Sequence, residues 1–292
     1  MNFNTLRFMS LRFTHVFFRK VLQCKPKYVL MRRLENLYKL RFYGIFAFAW
    51  TLKKSITVNL DTERQIVISN ADDLFENCHY EQCYNVLKSF KDQEHVEIQW
   101  RLCRVIYNMS KELEKDVSKR KEMIAKAFDI ISGLLKDNGE NYAIHKWYAI
   151  LLDAKSENDG IKERIKQLEN IRKHMDIAVM LNPSDATTLH MLGEWCYQIA
   201  DMPWYRRQIA QTLFAKPPLS TYEDALEYFL RAESAQPRFY SLNLLRIGNC
   251  YLKQKKDDQA KYYLVLAASY PAKSNDDFTA NKEATELLKN LK

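Results

Sequence analysis

The chain has 292 residues, of which 47% are hydrophobic and 28% are charged, enough for one large or two small domains with a buried core. This composition excludes a disordered, collagen-like or disulfide-scaffold protein. Only six Gly and seven Pro are present. So few turn-forming residues argue against a β-sandwich and favour helices.

The positive charge is concentrated at the N-terminus. Residues 1–54 contain twelve Lys or Arg and a single acid, Glu35, which gives a net charge of +11, whereas residues 55–292 have a net charge of −2. This asymmetry argues against a uniformly basic nucleic-acid-binding domain, so no nucleic-acid partner is predicted. The six Cys have no regular spacing, which indicates a reducing compartment.

Residues 1–54 are predicted to form a basic targeting or anchoring segment. Basic residues alternate with apolar ones before Glu35, as is typical of a mitochondrial import sequence. The apolar run 42–52 is shorter than the about 20 residues that span a membrane, and it predicts a short interfacial or buried helix. The basic positions assigned to targeting are Arg7, Arg12, Arg19, Lys20, Arg32 and Arg33.

Residues 55–70 are predicted to be a linker, and residues 71–292 a domain of successive amphipathic helices. In the segments 124–134 and 161–178, apolar residues recur at steps of three and four, with charged residues between them. This spacing matches the 3.6-residue period of a helix with one buried face.

The C-terminal third contains an internal repeat. Four positions, Ala225, Phe229, Ala232 and Pro237, recur as Ala260, Leu264, Ala267 and Pro271. A period near 34 residues is typical of tetratricopeptide (TPR) repeats. We therefore predict an all-α, TPR-like α-solenoid of about four helical hairpins. Small residues are expected where paired helices cross, at Gly193, Ala225, Gly248 and Ala260.

One repeat contains an insertion. Gly193 and Ala225 are 32 positions apart, whereas the corresponding residues of an ordinary unit are about 12 apart. The extra residues, of which 204–214 have a helical pattern, predict an inserted helix that plugs or shapes the concave face. Residues 220–223 resemble a capping box for the next helix.

Stacked repeats commonly bind extended or helical peptides on their concave face. Gly193 and Gly248 occupy equivalent positions on the first helices of their hairpins. From these positions, five polar or aromatic residues are predicted to point into this groove. They are His190, Glu194, Tyr197, Asn249 and Lys253.

No catalytic residue, metal site or cofactor is predicted, and the chain is not expected to be an enzyme. Cys78, His79 and Cys83 match no zinc spacing. His145 and His190 have no paired nucleophile in the sequence and are expected to be partly buried, hydrogen-bonded side chains. The glycines are too far apart for a phosphate-binding loop.

Several motifs together resemble the regulator of microtubule dynamics family over about residues 70–290. The resemblance implies a TPR-like domain that associates with microtubules and spindle poles, in some members at mitochondria or membranes, with lipid binding in certain branches. It implies no catalytic residues. The motifs are His145-Lys146-Trp147, Leu181 to Asp185, Leu192 to Tyr197, Trp204 with Arg207, and Pro217-Pro218 leading to Thr221 and Ala225-Leu226.

These observations lead to two functional hypotheses. The first is a non-catalytic scaffold that associates with microtubules, implied by the resemblance, and binds protein partners through its concave face. The second is a mitochondrial helical-repeat protein with a cleavable import segment, which binds lipid or a membrane surface, the lipid in a groove closed by the insertion. The predicted location is accordingly the mitochondrion, or the cytoplasm with microtubules and spindle poles.

Overall fold

Helices form all the regular secondary structure in the residues that the computed structural model describes, which are 60–113, 115–214 and 216–291. Residues 64–292 form one compact unit. The basic targeting positions from Arg7 to Arg33 and the apolar run 42–52 lie outside the described residues. The helices are α1 (60–76), α2 (Tyr80–Ser89), α3 (Val96–Glu112), α4 (Val117–Asp137), α5 (Tyr142–Asp159), α6 (Ile161–Leu181), α7 (Ala186–Ala200), α8 (Trp204–Leu213), α9 (Tyr222–Ala235), α10 (Ser241–Lys253), α11 (Asp257–Ala268) and α12 (Asn275–Asn290).

These helices pack as four hairpins. Helix α3 pairs with α4, α5 with α6, α7 with α9, and α10 with α11. Helix α2 packs on α3 at one end, while α12 packs on α10 and α11 at the other. The predicted all-α, TPR-like solenoid with about four hairpins is confirmed.

The last two hairpins are built around close approaches at glycine. A Cβ atom on Gly193 would lie 2.6 Å from the ring of Phe229, and one on Gly248 would lie 2.7 Å from Leu264. The two large side chains occupy equivalent repeat positions, so both hairpins use the same contact. Ala225 and Ala260, one turn earlier on the second helices, are fully buried.

Polar caps determine where several helices begin. The Asp185 carboxylate accepts a hydrogen bond from the Thr188 backbone N–H at 2.8 Å, which starts α7 after the Asn-Pro turn. Helix α9 begins with a capping box in which Thr221 and Asp224 bond each other's backbone N–H. The box therefore lies one residue later than the predicted 220–223.

The insertion forms helix α8, as its pattern indicated. It packs against α6, and Ala210 is its one buried residue among those described. Because the insertion interrupts the hairpin between α7 and α9, the chain leaves the solenoid and returns to it. The four-hairpin stack is otherwise continuous.

Helix α1 corrects the predicted linker 55–70, because its described part, 60–70, is helical. The β-branched residues there suggested extended chain, but Ile68 and Ala71 are buried, and burial outweighs the weak local preference. No described helix has the length and apolarity that would let it cross a membrane.

Candidate functional site: the concave cavity

The concave side of the solenoid encloses a cavity of about 1790 Å³. One face each of α3, α5 and α7 lines it, together with the end of α1 and the segment that leads into α12. Helix α3 packs on α5, and Lys146 of α5 pairs at 2.8 Å with Asp185, which caps α7, so the inner faces of these helices border the same cavity.

The lining is both aromatic and acidic. Among the described lining residues, ten are Phe, Tyr or Trp, nine are Asp or Glu and six are Lys or Arg. Aromatic side chains are common in ligand-binding cavities because they offer a large contact area with little rotational freedom. The excess of acidic over basic residues makes the wall net negative.

A cluster of charges joins α1 to α3 on one wall. Asp72 on α1 accepts hydrogen bonds from Arg101 at 2.9 Å and from Arg104, and Arg101 also bonds Glu97 at 2.7 Å. Burial alone raises the pKa of Asp72, but the hydrogen bond from Arg101 and the two arginine charges lower it below its ordinary value. Two acids and two arginines make this cluster neutral.

The arginines of this cluster also lie over aromatic rings. The guanidinium carbon of Arg101 is 4.1 Å from the centre of the Trp100 ring, and that of Arg104 is 4.0 Å from the Phe75 ring. On the next helix, the Lys146 ammonium is 5.2 Å from the Tyr142 ring. Arg104 also lies 5.4 Å from the Trp100 ring centre, so the described lining residues already make four cation–π contacts with one another.

The two ends of the solenoid meet at the cavity. The Lys111 Nζ atom, in the last turn of α3, is 2.6 Å from the Asp276 carboxylate at the start of α12. The Tyr240 hydroxyl donates to the same carboxylate at 2.7 Å. Lys111 and Asp276 are 165 positions apart in the sequence.

Two polar atoms on the lining residues have no hydrogen-bond partner in the described part of the protein. They are Nε of Arg104 and Nε1 of Trp147, both buried. By contrast, the Trp100 and Trp195 indoles, also on the lining, donate to Glu97 at 2.9 Å and to the Leu168 carbonyl at 3.0 Å.

Two of the five predicted groove residues, His190 and Glu194, line the cavity. His190 is buried, its Nδ1 atom lies 3.0 Å from the Asn243 side chain, and burial lowers its pKa. Glu194 is paired with Arg246. Both residues therefore lie on the concave side, and both already interact with another side chain of the protein.

The other three predicted groove residues do not line the cavity. Tyr197 is buried, its ring centre 5.5 Å from that of Tyr222. Asn249 bonds Glu283 of α12 at 3.3 Å, and Lys253 pairs with Asp201 at 2.6 Å. Tyr197 and Asn249 are held against α9 and α12, whereas Lys253 stays exposed outside the cavity.

The insertion does not close the cavity, which corrects the expectation of a groove plugged by it. No residue of α8 is among those that line the cavity in the described structure. Helix α8 lies on the outer side against α6, with Trp204 77% exposed. An inserted helix at this point of the repeat lengthens the connection without entering the concave side.

The predicted cysteine and histidine positions show no metal-binding arrangement. Within the described residues no three His, Cys, Asp or Glu side chains are grouped so that they could hold a metal ion. The Cys83 thiol is buried and donates to the Ala71 carbonyl at 3.2 Å. His145 bonds the Gly139 carbonyl at 2.9 Å and the His174 ring at 2.8 Å.

Outside the cavity, the start of α4 presents a basic surface. Residues 115–126 contain five Lys or Arg and two acids. Lys115, Lys119, Lys121 and Lys126 are exposed, and their ammonium groups make no ion pair with any described residue. We call these four side chains the α4 lysine patch.

Comparison with known proteins places this geometry in context. A family model described as Regulator of microtubule dynamics protein 1-3 matches residues 67–292. Regulator of microtubule dynamics protein 1 of Mus musculus is 38% identical over 240 residues, covering 82% of this chain and 79% of the relative. The Bos taurus protein is 40% identical over 227 residues, covering 78% and 72%.

More distant matches agree on the fold. Regulator of microtubule dynamics protein 3 of Rattus norvegicus is 35% identical over 188 residues, which are 64% of this chain and 40% of the relative. A crystal structure of a thermophilic TPR protein from Thermus thermophilus matches with a TM-score of 0.52 at 12% identity, covering 76% of this chain and 98% of that one. At this identity the match shows the TPR fold alone.

Proposed function

The chain belongs to the regulator of microtubule dynamics family, and we propose that it is a non-catalytic scaffold that associates with microtubules and binds a protein partner in its concave cavity. Family membership over residues 67–292 is the observation that carries the microtubule part of this proposal. The cavity of the TPR-like solenoid supports the partner-binding part. The family and the fold favour a scaffold over an enzyme.

Microtubule contact requires positive charge, because tubulin tails are acidic and the net charge of residues 55–292 is −2. Two regions supply it. Residues 1–54 have a net charge of +11, and the α4 lysine patch has ammonium groups that no described carboxylate neutralises. We assign the contact to these regions, separate from the acidic cavity.

Co-sedimentation with purified microtubules tests this assignment. We expect the full chain to pellet, a chain starting at residue 55 to bind more weakly, and the triple variant Lys119→Gln/Lys121→Gln/Lys126→Gln to lose about tenfold in affinity. The control triple variant changes Lys261, Lys282 and Lys289, exposed lysines near the C-terminus, to Gln.

The control triple variant has the same net charge as the test variant, so it separates a local contact from bulk charge. Equal weakening of both triple variants contradicts the lysine patch as a specific contact. Absence of the full chain from the microtubule pellet contradicts the microtubule function itself.

A mitochondrial location is the second candidate, favoured by the basic, apolar and nearly acid-free residues 1–54. In this function the segment is cleaved on import, and the helical body acts inside the organelle. Mass spectrometry of the mature N-terminus distinguishes the two candidates. A chain that retains Met1 contradicts cleavage after import, whereas a chain that begins near residue 55 removes the +11 segment from the working protein.

A further inference from the structure

We infer that the concave cavity binds an extended polypeptide segment of a partner protein that carries Lys or Arg side chains and no acidic ones. This inference rests on the proposed scaffold function of the cavity and specifies the partner's chemistry. The net negative charge and the aromatic rings of the lining both favour such a segment.

The net charge of the wall is negative. Nine acidic residues and six basic ones line the cavity. Five of the acids are held by Lys or Arg: Asp72, Glu97, Asp153, Glu194 and Asp276. The four other lining carboxylates, those of Glu76, Glu112, Glu140 and Asp277, make no ion pair with any described residue, and neither do two lining cations, Arg238 and Lys273. Four unpaired acids against two unpaired cations leave the wall net negative, which repels an acidic ligand.

Three of these carboxylates, those of Glu76, Glu112 and Glu140, are exposed and make no ion pair with any described residue. Glu76 ends α1 and Glu112 ends α3, where the helix dipole is already negative. An acid in the last turn of a helix gains nothing from that helix. Both positions present an uncompensated negative charge that a ligand cation would stabilise.

The potential at this edge affects a neighbouring side chain. Burial, the Cys78 thiol and the negative charges of Glu112 and Asp276 together raise the pKa of Tyr80, which also lines the cavity. The effect agrees with an excess of negative charge at this part of the rim.

The aromatic lining supplies the second kind of contact for a basic segment. Arg101, Arg104 and Lys146 already lie over lining rings at 4.0 to 5.2 Å from the ring centres. Cation–π attraction strengthens when the site is shielded from water. Lys or Arg side chains of a partner fit the same chemistry, with their apolar stems against the rings.

This chemistry disfavours two other occupants. The acidic tails of tubulin would meet like charge in the cavity, so the microtubule and the partner use different surfaces. An anionic lipid headgroup meets the same repulsion, because the Asp72 cluster is neutral and leaves its arginines without net positive charge. A basic polypeptide faces neither obstacle.

Selection from a displayed library of random peptides of about twelve residues on the full chain is the test. A stretch of this length reaches about 40 Å when extended. We expect enriched sequences with several Lys or Arg and no Asp or Glu. The enriched peptide is then measured by fluorescence anisotropy on two double variants of the full chain.

The test variant is Glu76→Gln/Glu112→Gln, and we expect about tenfold weaker binding and a shallower salt dependence. The control is Glu223→Gln/Glu227→Gln, which removes two exposed acids of α9 that do not line the cavity. All four carboxylates are exposed, so both variants should fold. We expect the control to bind like the unmodified chain.

Each other result overturns the inference. Enrichment of acidic peptides, no enrichment, or equal binding by both double variants shows that the cavity is not a site for a basic segment. Extraction of lipid from phosphatidylcholine–phosphatidylserine vesicles without peptide enrichment assigns the cavity to lipid. Microtubule pelleting by Glu76→Gln/Glu112→Gln stays unchanged under our assignment, so failure here is distinguishable from failure of the microtubule function.

Discussion

At the scale of single residues, two glycines determine how closely the last two hairpins pack. Gly193 lies against the ring of Phe229, and Gly248 against Leu264, both at distances that leave no room for a methyl group. The other three glycines among the described residues have no such role. Gly133, in the middle of α4, has no atom within 4 Å of the position its Cβ would occupy.

Gly193→Ala should therefore destabilise the protein by about 1 to 3 kcal/mol, because the added methyl group pushes the Phe229 ring out of its position. Gly133→Ala is the control and should stabilise by about 0.5 to 1 kcal/mol, because alanine favours the helix and nothing obstructs it. Urea unfolding monitored by circular dichroism measures both. Equal effects would contradict close packing at Gly193.

Two of the three tryptophans among the described lining residues, Trp147 and Trp195, make a matched pair. The Trp195 indole bonds the Leu168 carbonyl at 3.0 Å, whereas the Trp147 N–H has no partner in the described structure. Changing each to Phe removes a similar volume, but only Trp195→Phe breaks a hydrogen bond. We expect Trp195→Phe to be less stable than Trp147→Phe by about 1 kcal/mol, measured as the free energy of unfolding in urea. The reverse order would indicate that Trp147 has a bonding partner.

At the scale of helices, a pair of histidines connects the second hairpin. His145 on α5 and His174 on α6 approach to 2.8 Å between their Nδ1 atoms, with the rings stacked. Burial, followed by the neighbouring charges of His145 and Lys173, lowers the pKa of His174 from 6.5 to about 4. In the unfolded chain this imidazole titrates near its ordinary value.

The free energy of unfolding should accordingly decrease as the pH is lowered from 6.5 to 4, because the unfolded chain binds a proton there that the folded protein does not. Water screens the half-buried ring, so we expect this histidine to contribute a loss of only about 1 kcal/mol between pH 7 and pH 5. His174→Gln should remove that part of the pH dependence, as followed by urea unfolding at both pH values.

The control for His174→Gln is His79→Gln, which changes an exposed histidine outside the hairpins. It should keep the pH dependence of the unmodified chain. If His174→Gln keeps it as well, the pair between α5 and α6 is not the group responsible.

The hairpins and the insertion could be predicted because their determinants are local. Small residues such as Gly193 and Ala260, set at a fixed period, select helix pairs, and periodicity places their apolar faces. The cavity lining depends instead on which helices cover which face. Asn249 and Lys253 share the predicted helix face, but Asn249 is buried against Glu283 of α12, and Lys253, which stays exposed, pairs with Asp201 after the end of α7.

Helix α1 was missed for a related reason. Its β-branched residues weaken the local helical signal, and its stability comes from contacts with distant helices, including the Asp72 carboxylate bonded to arginines 29 and 32 positions later. The arginines Arg101 and Arg104 were visible beside Trp100, but nothing local identified their partner. The best sequence signal for this cluster is the pair of arginines on one apolar helix. Two buried guanidinium groups require an acidic partner nearby.

At the scale of the whole molecule, an ion pair joins the two ends of the described solenoid. Most repeat proteins contact only neighbouring repeats, so their ends are free. Here Lys111 of α3 and Asp276 of α12 pair at 2.6 Å, and Tyr240 supports the same carboxylate. Since these residues border the cavity, the pair couples the position of the last helix to the concave site.

Lys111→Gln should lower the free energy of unfolding by less than about 1 kcal/mol, because the pair is partly exposed, yet it should raise amide hydrogen exchange in the first turn of α12. About 1 M salt should weaken this partly exposed pair in the unmodified chain and add nothing to the variant, since the Debye length then falls to about 3 Å, similar to the separation of the two charges. The control is Lys166→Gln, which breaks a pair of similar exposure with Glu163 inside α6 and closes no ring. It should leave exchange in α12 unchanged. Equal exchange in α12 for both variants would mean that the ends are held together by the packing of α12 on α10 and α11, and that the ion pair has no role in closing the cavity.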